Sequence, residues 1–228
     1  MATVADVRPV PTLVEAVPAA DPAPLGLGAF ALTTFVLSGH NATFIPDLIW
    51  VGLALFYGGL IQLLAGMWEF RNRNVFGATA FSSYGGFWLA LGIFITLFVT
   101  SNNFHAALSK NPGDFPNAAA WFVIAFAIFN TYMLLWSTRV SIAVLAVFLT
   151  LEITEILLAI GYFDAAHGVA NNHWLHAGGW AGIVTAACAW YASAAGVVNG
   201  MAAPARILPV GNPMWSAAGS PMPRGVQA

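Results

Sequence analysis

The sequence predicts an all-α membrane protein, a bundle of six transmembrane helices, from three observations. First, its 228 residues are 59% apolar and 7% charged, whereas a soluble domain is about 45–50% apolar and about 25% charged. Seven Lys and Arg with nine Asp and Glu are too few to clothe a water-facing surface, so most of the outside faces lipid. Second, apolar stretches near the length of about 20 residues that crosses roughly 30 Å of hydrocarbon occur between clusters of charge, Pro and Asn, at 25–39, 48–67, 79–100, 119–136, 140–162 and 179–198. Third, Arg8, Arg71, Arg73, Arg139, Arg206 and Arg224 fall in the tails and in the second and fourth loops, and Lys110 alone lies on the other side. Cytoplasmic loops carry the excess of basic residues, so an even number of spans places both termini in the cytoplasm. The net charge of −2 argues against an electrostatic nucleic-acid binder, and the single Cys188 against a disulfide scaffold.

In chain order, residues 1–20 hold Arg8, Pro9, Pro11, Glu15 and Pro18. They lack the basic-then-apolar order of a signal peptide and are expected to form a disordered tail. The membrane domain then runs over 21–202. Its first span opens with Asp21, Pro22, Ala23, Pro24, Leu25, Gly26 and Leu27. Asp is a good N-cap and Pro suits the first helical position, so a helix starts here and can attract an anion to its unpaired N–H groups. Trp50, Trp68, Trp121, Trp136, Trp174 and Trp180 sit near span ends, where amphipathic rings favour the interface; Trp88 and Trp190 do not. In the last span Gly178, Gly182 and Ala186, and beside them Ala192, Gly196 and Gly200, form stripes of small residues for close helix contact, within one subunit or between subunits. Residues 203–228, rich in Pro and Gly, read as a flexible tail.

The opening heptad resembles the Asn-Pro-Ala-Pro-Leu-Gly-Leu signature of the acetate uptake transporter family, the small acetate and succinate permeases of bacteria and fungi. Further segments carry the likeness: Phe56 to Gln62, Ala65 to Phe70, Phe76 to Gly85, His40 with Asn41, Leu158 to Gly161, and Ala181 with Gly182. It extends over about residues 21–211. Asp21 stands where the family has Asn, which preserves the cap. The resemblance implies a six-helix subunit assembled as a homohexamer, each subunit with its own pathway for small carboxylates and a narrow apolar and aromatic constriction. The constriction's Phe, Tyr and Leu fall on Phe30, Tyr84 and Leu151. At 1.5 Å per residue from the helix starts, these lie about 12, 12 and 17 Å deep, close to one level.

Moving acetate across a bilayer requires donors that replace its water, or a proton that removes its charge. Thr33, Thr34, Gln62, Asn130 and Tyr84 offer donors within the spans, and His40 and Asn41 stand at the outer mouth. Any of these polar groups also serves to tie helices together. The unusual feature is Glu152 and Glu155 inside the fifth span. An ionised carboxylate there costs about 2.5–3.5 kcal/mol, and the spans hold no Lys or Arg to pair with it. On a helix Glu155 lies only about 40° from Leu151 and Glu152 about 100° away. Glu155 is therefore expected towards the lumen and linked to a proton, since a charged Glu would repel an anionic substrate. A protonated pair holding helices together is the alternative.

The sequence has no phosphate loop, nucleotide motif or nucleophile constellation, so no cofactor is expected and the chain does not read as an enzyme. Transport then runs on solute or ion gradients. The reading is a cell-membrane (inner or plasma membrane) transporter for acetate and other short carboxylates such as succinate, moved as a symport with protons or through a channel. Its rivals are a channel for a small neutral solute such as urea or ammonia, and a membrane enzyme or metal-binding sensor built on His167, His173 and His176. These histidines are expected in a solvated outer loop, and no metal is assigned to them.

Overall fold

A computed structural model of the chain describes residues 19–169, 172–201 and 207–215. Residues 1–18 of the tail expected over 1–20, and Arg8, Arg206 and Arg224 among the basic residues, lie outside them. Among the described residues eight α-helices follow in order: α1 Ala23–Asn41, α2 Ile49–Leu55, α3 Gln62–Arg71, α4 Val75–Thr100, α5 Asn102–Leu108, α6 Asp114–Ser137, α7 Ile142–Ala166 and α8 His173–Met201. A π-helical stretch, Phe56–Ile61, joins α2 to α3, so that Ile49–Arg71 is one rod. Six rods among the described residues are long and apolar enough to span a membrane: α1, the α2–α3 rod, α4, α6, α7 and α8.

Each rod runs past the expected hydrophobic segment at one end at least, although α7 starts two residues inside it, and side-chain caps fix the starts of α4 and α7. The Asn74 side chain accepts the Gly77 N–H at 3.1 Å, and the Ser141 hydroxyl accepts the Val144 N–H at 3.2 Å. These are the orphan donors that every helix start exposes. α1 begins one residue later than expected: Pro22 takes the cap position, while the Asp21 carboxylate accepts the Ala23 N–H at 2.9 Å. α8 already begins at His173, so His173 and His176 stand exposed on its first turn rather than in a loop.

Small residues set how closely the rods pack. A side chain at Gly178 would meet Leu158 of α7, one at Gly182 the Ser38 hydroxyl of α1, and one at Gly196 the Pro24 ring. Those positions on both stripes of α8 are thus used within the subunit, against α1 and α7. The α2–α3 rod meets α4 in the same way, with Gly66 against Ser82 and Gly85 against Leu63.

Two further expectations change. Trp50 is only 4% exposed and packs with Ala54 and Trp88, its indole N–H donating to Asp47 at 3.2 Å; its apolar neighbours outweigh the interfacial preference. Residues 207–215 lie on the bundle where a free tail is expected. Asn199 accepts the N–H groups of Ile207 and Leu208 at 2.8 and 3.0 Å and donates to the Leu208 carbonyl at 2.9 Å. Val210 and Thr138 accept from the Ala143 and Met214 N–H groups. Residues 203–206 and 216–228 fall outside the described ones.

Candidate functional site

Three helices, α1, α4 and α7, face one another across the core, and their inward faces help to line three cavities stacked along the bundle. At the end that carries the proline motif, Asp21, Leu27, Phe76, Ser141, Val144 and Phe148 line a cavity of about 100 Å³. Towards the opposite end, Leu37, Phe94, Phe122 and Tyr162 help to line one of about 310 Å³. Between them is a narrow space of about 50 Å³ lined by Phe30, Thr34, Tyr84, Leu151 and Glu155. It shares Leu37, Asn41, Phe87, Val123 and Leu158 with the large cavity, so the two adjoin.

A packed cluster separates this space from the cavity at the proline-motif end. Phe30, Tyr84, Phe148 and Leu151 are all buried in it. The Phe30 and Tyr84 rings meet edge to face at 5.6 Å, and Phe148 and Phe76 at 5.2 Å. Edge-to-face contact suits the ring quadrupoles. The structure thus brings Phe30, Tyr84 and Leu151 together, as depth counting expects. It adds Phe148, one helical turn before Leu151 on the same face of α7, a spacing that the sequence already carries.

Polar groups converge on the same level from α4, α6 and α7. The Tyr84 hydroxyl donates to Asn130 Oδ1 at 2.9 Å and lies 3.4 Å from Glu155 Oε1. Asn130 donates through Nδ2 to the Phe148 carbonyl at 3.0 Å and to Glu152 Oε2 at 2.7 Å. Thr131 reaches Glu152 Oε1 at 2.8 Å. Glu155 is buried beside the narrow space, and its Oε2 has no hydrogen-bond partner. Glu152 points instead to α6.

The other expected donors divide. The hydroxyl of Thr34 lacks a partner in the lining of the narrow space, and Asn41 Nδ2 lacks one where that space meets the large cavity. Thr33 faces away: it bonds the Ala29 carbonyl and packs where a Gly58 side chain would sit. Gln62 is 1% exposed, its Oε1 has no hydrogen-bond partner, and it lines none of these three cavities. A helix places a polar side chain on any of its faces, and spacing alone does not distinguish a lumen from a neighbouring helix.

In the signature heptad, Asp21, Ala23, Pro24 and Leu27 line the proline-motif cavity, whereas Gly26 lets the Phe81 ring approach. Pro22 is buried, and Leu25 is 49% exposed on the outside. Burial pushes the Asp21 carboxyl above its ordinary value of 3.8, against the lowering pull of the Ala23 N–H. Among the described residues no three His, Cys, Asp or Glu gather as metal ligands. His40 stands 3.5 Å from Asp47 in the loop after α1.

Six apolar rods around an interior row of cavities define a polytopic membrane protein. Over residues 5–210 the sequence matches the GPR1/FUN34/yaaH family, and the chain belongs to it. It is 43% identical over 214 residues to acetate permease A of Emericella nidulans, covering 90% of this chain and 70% of that one. Ammonia transport outward protein 2 of Saccharomyces cerevisiae is 41% identical over 185 residues, 79% of this chain and 62% of that protein. The succinate-acetate/proton symporter SatP of Escherichia coli K12 is 33% identical over 183 residues, 79% and 89% of the two chains. The solved structure of the bacterial acetate channel SatP superposes with a TM-score of 0.74 at 31% identity, over 85% of this chain and 99% of that one.

Proposed function

We propose that the chain carries acetate and other short carboxylates, succinate among them, across a cell membrane through the row of cavities, together with a proton. The observation that carries this reading is the meeting of Phe30, Tyr84 and Leu151, from three different helices, at one narrow level between two wider spaces. A greasy ring of this kind passes a small acid only when its charge is neutralised or its hydration is replaced. Thr34 and Asn41, with unpaired buried polar atoms on the approach, supply replacement contacts. Glu155 is the proton-linked group, because a buried carboxylate without a basic partner is costly and its charge would repel the substrate. The names of relatives that move acetate, and of one that moves succinate and acetate with protons, favour the same reading.

The end with Asp21, Asn74 and Ser141 faces the cytoplasm in this reading, because Arg71 ends α3 there and Arg73 and Arg139 lie in the adjoining loops. The exposed aromatic and aliphatic flanks of the rods serve lipid and the contacts of a homo-oligomer, a hexamer. Residues 21–202 form the transport unit.

The deciding experiment is uptake of labelled acetate by purified protein in liposomes, with and without an imposed pH gradient. Flux above that of bare lipid, and faster with the inside alkaline, is expected; no excess flux under any gradient refutes the reading. Relatedness to a protein named for outward ammonia transport favours a second reading, conduction of a small neutral solute. Labelled methylammonium or urea moving while acetate does not would establish it.

A further inference from the structure

We propose that Asn130 is a positioning residue: by claiming the Tyr84 hydroxyl proton, it makes Glu155 the proton-bearing carboxyl at the constriction and leaves Glu152 as the charged one. The inference rests on the proton-linked reading of Glu155 above and says how that state is enforced.

The argument is one of hydrogen-bond direction. Asn130 Nδ2 faces two oxygens, the Phe148 carbonyl at 3.0 Å and Glu152 Oε2 at 2.7 Å. A main-chain carbonyl only accepts, so the atom beside it is the amide nitrogen, and both of its hydrogens are used. The amide oxygen therefore faces Tyr84, and the phenol gives it its one proton at 2.9 Å. What Tyr84 presents to Glu155 Oε1, 3.4 Å away, is then a lone pair. An ionised Glu155 would set lone pair against lone pair; a protonated one donates and closes the chain. The chain runs in one direction, from Glu155 through Tyr84 to Asn130, and a separate Asn130 N–H ends on Glu152.

An amide holds its hydrogens, so it separates the two carboxyls instead of passing a proton between them. Glu152 accepts the Asn130 N–H on one oxygen and meets on the other the Thr131 hydroxyl, whose proton is shared with the Ala127 carbonyl at 2.9 Å; an accepting role of this kind suits a carboxylate. Glu155 has its second oxygen unpaired at the narrow space, so its proton exchanges there, with water or an arriving acid. The groups around it are Tyr84 from α4, Asn130 from α6, Thr34, Ser38 and Asn41 from α1, and Thr154 and Glu152 from α7. α8 contributes Thr185, bonded to Thr154 at 3.1 Å. No Lys, Arg or His lines the space.

The test is infrared spectroscopy of the protein in liposomes, following the carbonyl stretch of a protonated carboxyl through a pH titration. At neutral pH the band is expected in the wild type, lost in Glu155→Gln and kept in Glu152→Gln; Glu69, the other buried carboxyl among the described residues, cancels in the differences. Asn130→Leu in the Glu152→Gln background frees the phenol proton to bond the Glu155 carboxylate. The pH at which the band disappears should then fall by about one unit, the scale of one hydrogen bond to a charged group. A band lost in Glu152→Gln rather than Glu155→Gln, no Glu155 band at neutral pH, or an unmoved titration in the Asn130 variant overturns the proposal. If that variant fails to fold, the two glutamine variants decide. No substrate enters the measurement, so absence of acetate flux in the same vesicles refutes the transport reading without touching this one.

Discussion

Leu151→Ala tests the constriction most directly. Leu151 is 6% exposed, packed with Phe30, Tyr84 and Phe148, and borders a space of about 50 Å³. The substitution removes three carbons; at about 0.8 kcal/mol for each buried CH₂, the lost packing is about 2.4 kcal/mol. That value is the transfer cost alone; the cavity left behind adds to it, within the range of about 2–5 kcal/mol for buried Leu→Ala changes. The selectivity effect follows from the same geometry. In an apolar pocket one methylene is worth about 1–3 kcal/mol of discrimination, or about 10- to 200-fold. Room for one more carbon should therefore raise the flux of lactate or propionate relative to acetate by about tenfold or more. The assay is paired uptake of the labelled acids into liposomes from one preparation, with a thermal melt to show that the variant is folded. A folded variant with an unchanged ratio would place the selective level elsewhere on the route.

Three other changes probe the surrounding frame. Gly26→Ala puts a methyl 2.8 Å from the Phe81 ring, and overpacking of this kind costs about 1–3 kcal/mol, so the melting temperature in detergent should drop by several degrees. Asp21→Asn should stabilise the protein at neutral pH but not in acid. The Asp21 carboxyl is held above 3.8 by burial, so its burial cost is absent below that value and appears as pH rises through the raised one. Equal melting shifts at both ends of a pH series would contradict that. Asn199→Ala removes all three hydrogen bonds that hold residues 207 and 208. Faster amide exchange over 207–210, with α1 and α7 unchanged, is expected; exchange spreading through α8 would mean that the segment is not a separate unit.

The six crossings were legible in the sequence because hydrocarbon imposes length and composition together, and these survive without knowledge of packing. Their ends were not: Asn74 starts α4 ahead of the apolar stretch through a side-chain bond that hydropathy does not register. Phe30, Tyr84 and Leu151 were found through family resemblance, and their shared level through the rise of a helix. The position of Glu155 beside the narrow space followed from its angle to Leu151. Thr33 and Gln62 were indistinguishable from Thr34 until neighbouring rods filled in around them. The Asn130–Glu152 bond joins two helices across 22 positions of sequence, and a single sequence has no periodicity that expresses such a pair. Trp50 was misplaced for a related reason: an indole near a span end suits the interface equally well, and only Trp88 on another rod selects the interior.

The wide turn at Phe56–Ile61 reaches beyond its own six residues. Its Gln62 N–H bonds back to the Tyr57 carbonyl, five positions away instead of four, so the rod takes in one residue more than a regular helix would. Everything from Gln62 to Arg71 is consequently rotated by about 100° from where an uninterrupted α-helix would point it. Gln62 and Glu69, both fully buried, owe their inward aim to that surplus residue. Deleting any one position between 56 and 61 would swing the amide and the carboxylate out towards the acyl chains, so this short stretch acts as the spacer that keeps half a membrane crossing in phase.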